Sequence, residues 1–169
     1  MTDTNASAVP RVGIGYDSHR FAPDGPMILA GVRIPSDVKL VGHSDGDAIA
    51  HAVTDAILGA AGLGDIGEMF SDKEEANRGR DSMEMLRAAV SRVGRAGWRI
   101  GNVDVTVIAE RPKIGPHREP MRRSLAAALE CDPASVSVKG KTNEGMGWIG
   151  RAEGLGCIAV AMLVVRGTR

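Results

Sequence analysis

Three of the four histidines stand beside aspartates, in two short motifs. The first is Asp17-Ser18-His19, at the end of an apolar run. Residues two apart on an extended chain point the same way, so Asp17 and His19 can converge on one point beside the strand end. The plain alternative is a solvated turn in which Asp17 accepts local backbone N–H groups. The second motif is His43-Ser44-Asp45-Gly46-Asp47, with His51 four residues on and Asp55 four beyond that. On a helix Asp47, His51 and Asp55 stack along one face, beside Ala50 and Thr54. An N-cap role accounts for one of Ser44, Asp45 and Asp47, because acids and hydroxyls satisfy the free N–H groups of a first turn. It leaves His51 and Asp55 unexplained. Two imidazoles and one carboxylate, from Asp17, His19 and His51, with a fourth position open, suit a catalytic zinc. The thiolates of a closed structural site are missing from both motifs.

Three further segments carry weaker signals. Gly64-Asp65-Ile66-Gly67, then Phe70-Ser71-Asp72, offers close backbone approach and a carboxylate for a hydroxyl, or else a plain helix cap and turn. Arg111-Pro112-Lys113 places cations after a strand, where a simple strand exit is the alternative. Lys139 to Trp148 (KGKTNEGMGW) is rich in small and polar residues. Its backbone N–H groups can form an anion nest, and Glu144 can hold a hard cation. It lacks the spacing of a P-loop.

The elements that must position these residues follow from periodicity. Arg11–Tyr16 reads as a strand, and Met27–Ile34 as a hairpin turning at Ala30-Gly31. Ile49, Ala52, Val53, Ala56, Ile57 and Ala60 recur at the helical period and predict a helix over about 46–62. Asp81-Ser-Met-Glu84 is a capping box that opens a second helix to about Ala96, with Leu86, Ala89, Val90 and Val93 inward. Trp98–Ala109 alternates as a strand, with Val103, Val105 and Val107 on one face. A third helix opens near Pro116, or as late as Pro120, and ends near Glu130. Ser135–Lys141 and Gly154–Val165 complete the strands. This order predicts an α/β (α+β) two-layer sandwich, a mixed sheet with helices on one face. Residues 1–9 read as a disordered tail, and 10–169 as one domain.

Composition removes several function classes. Lys plus Arg and Asp plus Glu are 21 each, so there is no basic excess for nucleic acid. Aromatics are 3%, which leaves no stacking platform for single strands. Cys131 and Cys157 form no C-x-x-C motif and read as thiols of a reducing compartment. No signal-like or membrane-length apolar run is present, so the expected location is the cytoplasm.

GYDSHRF, HSDGDAIAHAVTDAILGAAGLGDIGEMF, GNVDVTVIAERPK and VKGKTNEGMGWIGRAEG together resemble the methylerythritol cyclodiphosphate synthases, in order and spacing from about Arg11 to Arg166. HSDGD-x-x-x-H with an upstream Asp-x-His is the specific part. The resemblance implies a phosphorus–oxygen lyase of non-mevalonate (methylerythritol phosphate) isoprenoid biosynthesis. In it the 2-phosphate of CDP-methylerythritol 2-phosphate attacks the β-phosphorus and CMP leaves. It implies zinc on Asp17, His19 and His51, with the first two also beside substrate, and magnesium or manganese on Glu144 with the diphosphate. His43, Thr142 and Glu144 would act at the reacting groups. His43 and Ser44 would contact the methylerythritol phosphate, with Asp65, Ile66, Gly67 and Asp72 beside its diol. Ala109, Pro112, Lys113, Lys141 and Thr142 would line a cytidine pocket. A homotrimer is implied, with sites between subunits. Trp148, Arg151 and Glu153 would lie near a central channel that holds an isoprenoid diphosphate in some relatives. Tyr16 and Trp148 stand where many relatives have Phe. The rival readings are a zinc phosphoesterase using water, and a non-catalytic trimeric binder of isoprenoid or nucleotide.

Overall fold

Arg11–Pro23 forms a single strand, β1, seven residues longer than the apolar run suggests. Asp17, Ser18 and His19 therefore lie inside the strand and not after it. Two ladders impose this extension on residues with little strand preference. Antiparallel pairing with β7 (Gly154–Val165) runs from Arg11↔Leu163 to Arg20↔Gly154, and pairing with β4 (Val38–Leu40) takes over at Phe21↔Leu40. The structure, a computed structural model, describes residues 9–71, 74, 77 and 79–167. The expected tail thus lies outside the described residues, apart from Val9.

The sheet order is β4-β1-β7-β5-β6, with β5 at Trp98–Ile108 and β6 at Val136–Lys141. Only β5 and β6 run parallel, so the sheet is mixed. In β5 a register shift between Ile100 and Asn102 leaves Gly101 unpaired, and that bulge lets Ile100 and Val103 both point inward. A separate hairpin joins β2 (Met27–Leu29) to β3 (Val32–Ile34) through Ala30 and Gly31. Both turn residues have positive φ, 52° and 70°, the mirror-image turn whose twist suits a two-residue hairpin.

The helices pack on one face of the sheet, as the alternation of elements predicts. α1 (Ala48–Ala61) crosses β1 and β7. α2 (Ile66–Met69) is a single turn beside it. α3 (Ser82–Arg95) packs on α1 and β5, and α4 (Arg118–Leu129) packs on α3 and β6. α5 (Gly147–Gly150) is a short turn before β7. The predicted stripe of α1 is wholly buried, and each large apolar side chain there stabilises the fold by roughly 1.5–3 kcal/mol. Because α3 covers its other side, α1 also buries Ala50, Thr54 and Leu58. α1 lies so close to β1 that a Cβ added at Gly15 would overlap the Ala52 carbonyl oxygen. Asp81 caps α3 as expected, accepting from Met83 N at 2.7 Å. The outer sheet face stays open: Val12, Ile14 and Tyr16 are 67, 70 and 56% exposed. No helix among the described residues is long and apolar enough to cross a membrane.

Candidate metal centre and substrate clefts

The inner face of β1 and the first turns of α1 meet at one point. Asp17 and His19 are two apart on the inward face of the strand, and His51 hangs from the helix opposite. Asp17 Oδ2 lies 2.9 Å from His19 Nε2 and 3.0 Å from His51 Nδ1, and the two ring nitrogens are 3.4 Å apart. A tetrahedral zinc with bonds of about 2.0–2.1 Å sets its ligand atoms about 3.3 Å from one another. The two ring nitrogens match that spacing, and Asp17 Oδ2 lies slightly closer to each of them. This is the one such metal-ligating cluster among the described residues. The ring nitrogens that face away from the cluster are occupied, as metal-bound imidazoles require. His19 Nδ1 is 2.7 Å from the carbonyl of Val41 and His51 Nε2 is 2.8 Å from Ser82 Oγ.

The electrostatics of the trio are those of a strongly coupled site. Burial by itself would raise the Asp17 pKa, but hydrogen bonds from His19 and His51, and their charge, hold it far below the usual carboxylate range. Burial lowers that of His19, and the Asp17 carboxylate outweighs it, so His19 ends above its ordinary value. A shared anionic oxygen between two imidazoles is an arrangement ready for a divalent cation.

The other acids of the helix motif are structural. Asp47 is fully buried and caps α1 by accepting from Ala50 N at 3.1 Å. It also accepts from Ala30 N and Gly31 N, which ties the hairpin to the helix. Burial raises its pKa against those three donors. Asp55 accepts from Ile66 N at 2.8 Å and so fixes the start of α2. The stripe Asp47, His51, Asp55 therefore delivers one residue to the metal cluster, not three.

Two clefts open at the same end of the sheet. One, of about 340 Å³, is bounded by the two ligand imidazoles, His43, Ser44, Ile66, Gly67 and Phe70. His43 is exposed at its rim, and Ser44 Oγ lies 3.0 Å from His51 Nε2. Asp65 stands at the edge as the N-cap of α2, its side chain accepting from Glu68 N at 2.8 Å. Asp72 lies outside the described residues. The second cleft, of about 360 Å³, is lined by Ala109, Pro112, Lys113, Gly140, Lys141 and Thr142. It gathers the residues expected to form the cytidine pocket. The two clefts share no lining residue. In sheet order β1 and β6 are three strands apart, about 14 Å.

The loop after β6 departs from expectation. Two of the backbone N–H groups read as an anion nest, those of Asn143 and Gly145, point at Glu110 Oε1, at 2.9 and 3.3 Å. A carboxylate of the chain itself fills the nest, so it is a fixed loop and not an open phosphate cradle. Glu144 is exposed and accepts from Thr142 Oγ1 at 2.8 Å. A lone exposed carboxylate is a fit for magnesium, which keeps most of its waters and takes its remaining ligands from a phosphate. Arg111 is held by Asp37 at 2.7 Å, and Arg151 by Glu153 at 2.6 Å. Trp148, on α5, is 38% exposed. Sequence reasoning missed Ser82, the outer contact of Asp45 and the Glu110 plug. Their contacts join segments tens of residues apart, and no local pattern marks them.

Comparison with known proteins agrees with this arrangement. The YgbB family model matches residues 10–164. A protein of Gemmatimonas aurantiaca named 2-C-methyl-D-erythritol 2,4-cyclodiphosphate synthase is 65% identical over 162 residues, covering 96% of this chain and 98% of that one. The Plasmodium falciparum IspF–CDP complex superposes with a TM-score of 0.82 at 37% identity, covering 94% of this chain and 97% of that one. The bifunctional IspDF of Campylobacter jejuni matches at a TM-score of 0.90 and 40% identity over 94% of this chain, which spans only 43% of that longer protein. With the match running through nearly every element that builds the trio and both clefts, the chain belongs to the YgbB family, alongside the 2-C-methyl-D-erythritol 2,4-cyclodiphosphate synthases.

Proposed function

We propose that the chain catalyses ring closure of CDP-methylerythritol 2-phosphate to the 2,4-cyclodiphosphate with release of CMP, a cytoplasmic step of isoprenoid biosynthesis, and that residues 10–169 act as one domain. The carrying observation is the convergence of Asp17 Oδ2, His19 Nε2 and His51 Nδ1 beside a cleft that His43 and Ser44 also line. Zinc on that trio and magnesium on Glu144 would supply Lewis acidity and charge neutralisation toward the phosphoryl oxygens. The residues of the chain then have a limited task. A phosphate monoester has its second pKa near ~6, so the nucleophile is already largely anionic at neutral pH and needs no side-chain base. His43 and Ser44 hold the methylerythritol phosphate at the rim of the first cleft, with Asp65, Ile66 and Gly67 toward its diol. Ala109, Pro112, Lys113 and Lys141 hold the cytidine end, and Lys113 and Lys141 add positive potential. Thr142 would donate to a phosphate oxygen, and Glu144 would hold the cation. Catalysis is then positioning and electrostatics of an in-line transfer.

The same reading makes the enzyme a homotrimer. The two clefts are separate within one chain, which supports an active site built from the metal half of one subunit and the nucleotide half of another. The exposed apolar face of β1 and β7, with Val12, Ile14, Tyr16 and Val160, suits burial against further copies. Trp148 and Arg151 are the residues a threefold channel would present to an isoprenoid diphosphate.

Phosphorus NMR of turnover, with metal analysis of the same sample, tests the proposal. The expected result is CMP and a cyclic diphosphate in equal amounts, at one zinc per chain. Release of a linear phosphate would make the protein a zinc phosphoesterase, and tight ligand binding without turnover would make it a binder.

A further inference from the structure

Ser82 has no part in either cleft, yet it is fully buried and touches a residue of the trio. Its Oγ lies 2.8 Å from His51 Nε2, donates to Asp45 Oδ1 in a very short hydrogen bond, and stands 3.2 Å from Ser44 Oγ. Its backbone N–H donates to the other oxygen, Asp45 Oδ2, at 3.2 Å. Asp45 Oδ1 also accepts from Asp47 N at 3.1 Å. The carboxylate is thus fixed from two sides by main-chain donors, one at the start of α1 and one at the start of α3.

With a cation on the trio, the directions of these bonds follow. His51 faces Asp17 and His19 with Nδ1. A neutral ring that offers the Nδ1 lone pair to a cation must carry its proton on Nε2. Nε2–H therefore donates, and Ser82 Oγ accepts. The serine has one proton, and the acceptor-only carboxylate of Asp45 takes it. The three groups form a one-way chain, imidazole to hydroxyl to carboxylate.

We infer that Ser82 and Asp45 are positioning residues that lock His51 in its ligating tautomer and orientation, and so set the affinity of the trio for zinc. This rests on the zinc reading above and deepens it. The chain is a carboxylate–histidine arrangement with a serine inserted between the partners. Ser82 reaches the ring because the Asp81 cap starts α3 one residue earlier, which delivers the Ser82 side chain against α1. Ser44 alone is a poor substitute: its oxygen is farther from Nε2, at 3.0 Å, and at 3.4 Å from Gly46 N it has no strong anchor.

The test uses the full-length protein stripped of metal by a chelator and titrated with zinc against a chromophoric competitor. Ser82→Ala is expected to weaken zinc binding 10–100-fold, the usual effect of removing such an outer partner. Ser82→Thr, which keeps the hydroxyl, should return affinity to near the wild-type value. Nitrogen–proton NMR of the zinc-loaded protein gives a readout that a general packing defect does not move. A slowly exchanging His51 Nε2–H signal is expected in wild type and in Ser82→Thr, and its loss in Ser82→Ala. Should Ser82→Ala fail to fold, Asp45→Asn decides. An amide oxygen is a weaker acceptor than a carboxylate, so a smaller loss of affinity in the same direction supports the relay, and unchanged affinity overturns it. Wild-type affinity and a retained Nε2–H signal in Ser82→Ala would overturn the inference alone. Wild-type protein that takes up no zinc would remove the metal reading beneath it.

Discussion

Replacing Gly15 by alanine puts the coupling between packing and the metal centre to the test. Gly15 is on the inward face of β1, two residues before Asp17, where α1 crosses the strand. An added Cβ would overlap the Ala52 carbonyl oxygen and stand 2.8 Å from its carbon and 2.9 Å from Ala56 N. All three are backbone atoms of a regular helix, so no side chain can turn aside. Moving the carbonyl oxygen out to ordinary contact of 3.5–4.0 Å requires strand and helix to separate by roughly 1.5–2 Å. Overpacking of this kind costs about 1–3 kcal/mol. For a domain of this size each kcal/mol lowers Tm by roughly 2–4 °C, so a fall of about 2–12 °C is expected. The site suffers more than the fold. His51 leaves on α1, where it is next to Ala52 in the chain, while Asp17 and His19 stay on β1, and metal distances tolerate only about 0.2 Å. Gly15→Ala should therefore lose zinc as well as stability. Gly59→Ala is the matched control on the same helix. Its added Cβ meets nothing within 4 Å, and gaining a better helix former should stabilise by about 0.5–1 kcal/mol. Thermal melts of metal-free protein and zinc content after dialysis read both effects. A Gly15→Ala protein that melts like wild type and keeps one zinc per chain would refute the claim that this glycine sets the strand–helix distance.

Other outcomes follow from the same geometry. Glu144→Gln should keep its zinc, because Glu144 lies outside the trio, while turnover falls and partly recovers at high magnesium or manganese; loss of zinc would end the two-site description. On the proposed trimeric assembly, His51→Ala and Glu144→Ala proteins should each be inactive. Co-refolded in equal amounts they should recover up to about a quarter of wild-type activity, since an intact metal half meets an intact nucleotide half at half times half of the interfaces of a head-to-tail ring. Confirmed mixed trimers without activity would place both halves in one chain. In metal-free protein the raised His19 value gives a pH signature of known sign. Its stabilising contribution is complete below about 6.5 and is lost as pH rises through the higher folded value. Tm of chelated protein should thus fall on the alkaline side, and the slope should shrink in His19→Gln; an unchanged slope would mean that another group carries it.

Much of this was legible in the residues. The apolar period of α1, the cap at Asp81, the alternation of β5 and the positive-φ turn at Ala30-Gly31 are local, because each depends on neighbours a few positions away. The trio was legible for the same reason: Asp17 and His19 share a face at spacing two, and HSDGD-x-x-x-H put His51 on the first turns of a helix. Tertiary structure alone decided the rest. Pairing with β7 carried β1 through Asp17-Ser18-His19, where strand preference is weak. Contact with the β2–β3 hairpin made Asp47 an anchor as well as a cap and left His51 as the one ligand of its stripe. The loop after β6 has the composition of a phosphate nest, but Glu110, more than thirty residues upstream, fills it. Ser82 behind His51 is 31 residues away along the chain and in contact through space. Hydrogen-bond direction, burial and the separation of the two clefts are properties of the packed chain, and short-range sequence patterns carry no information on them.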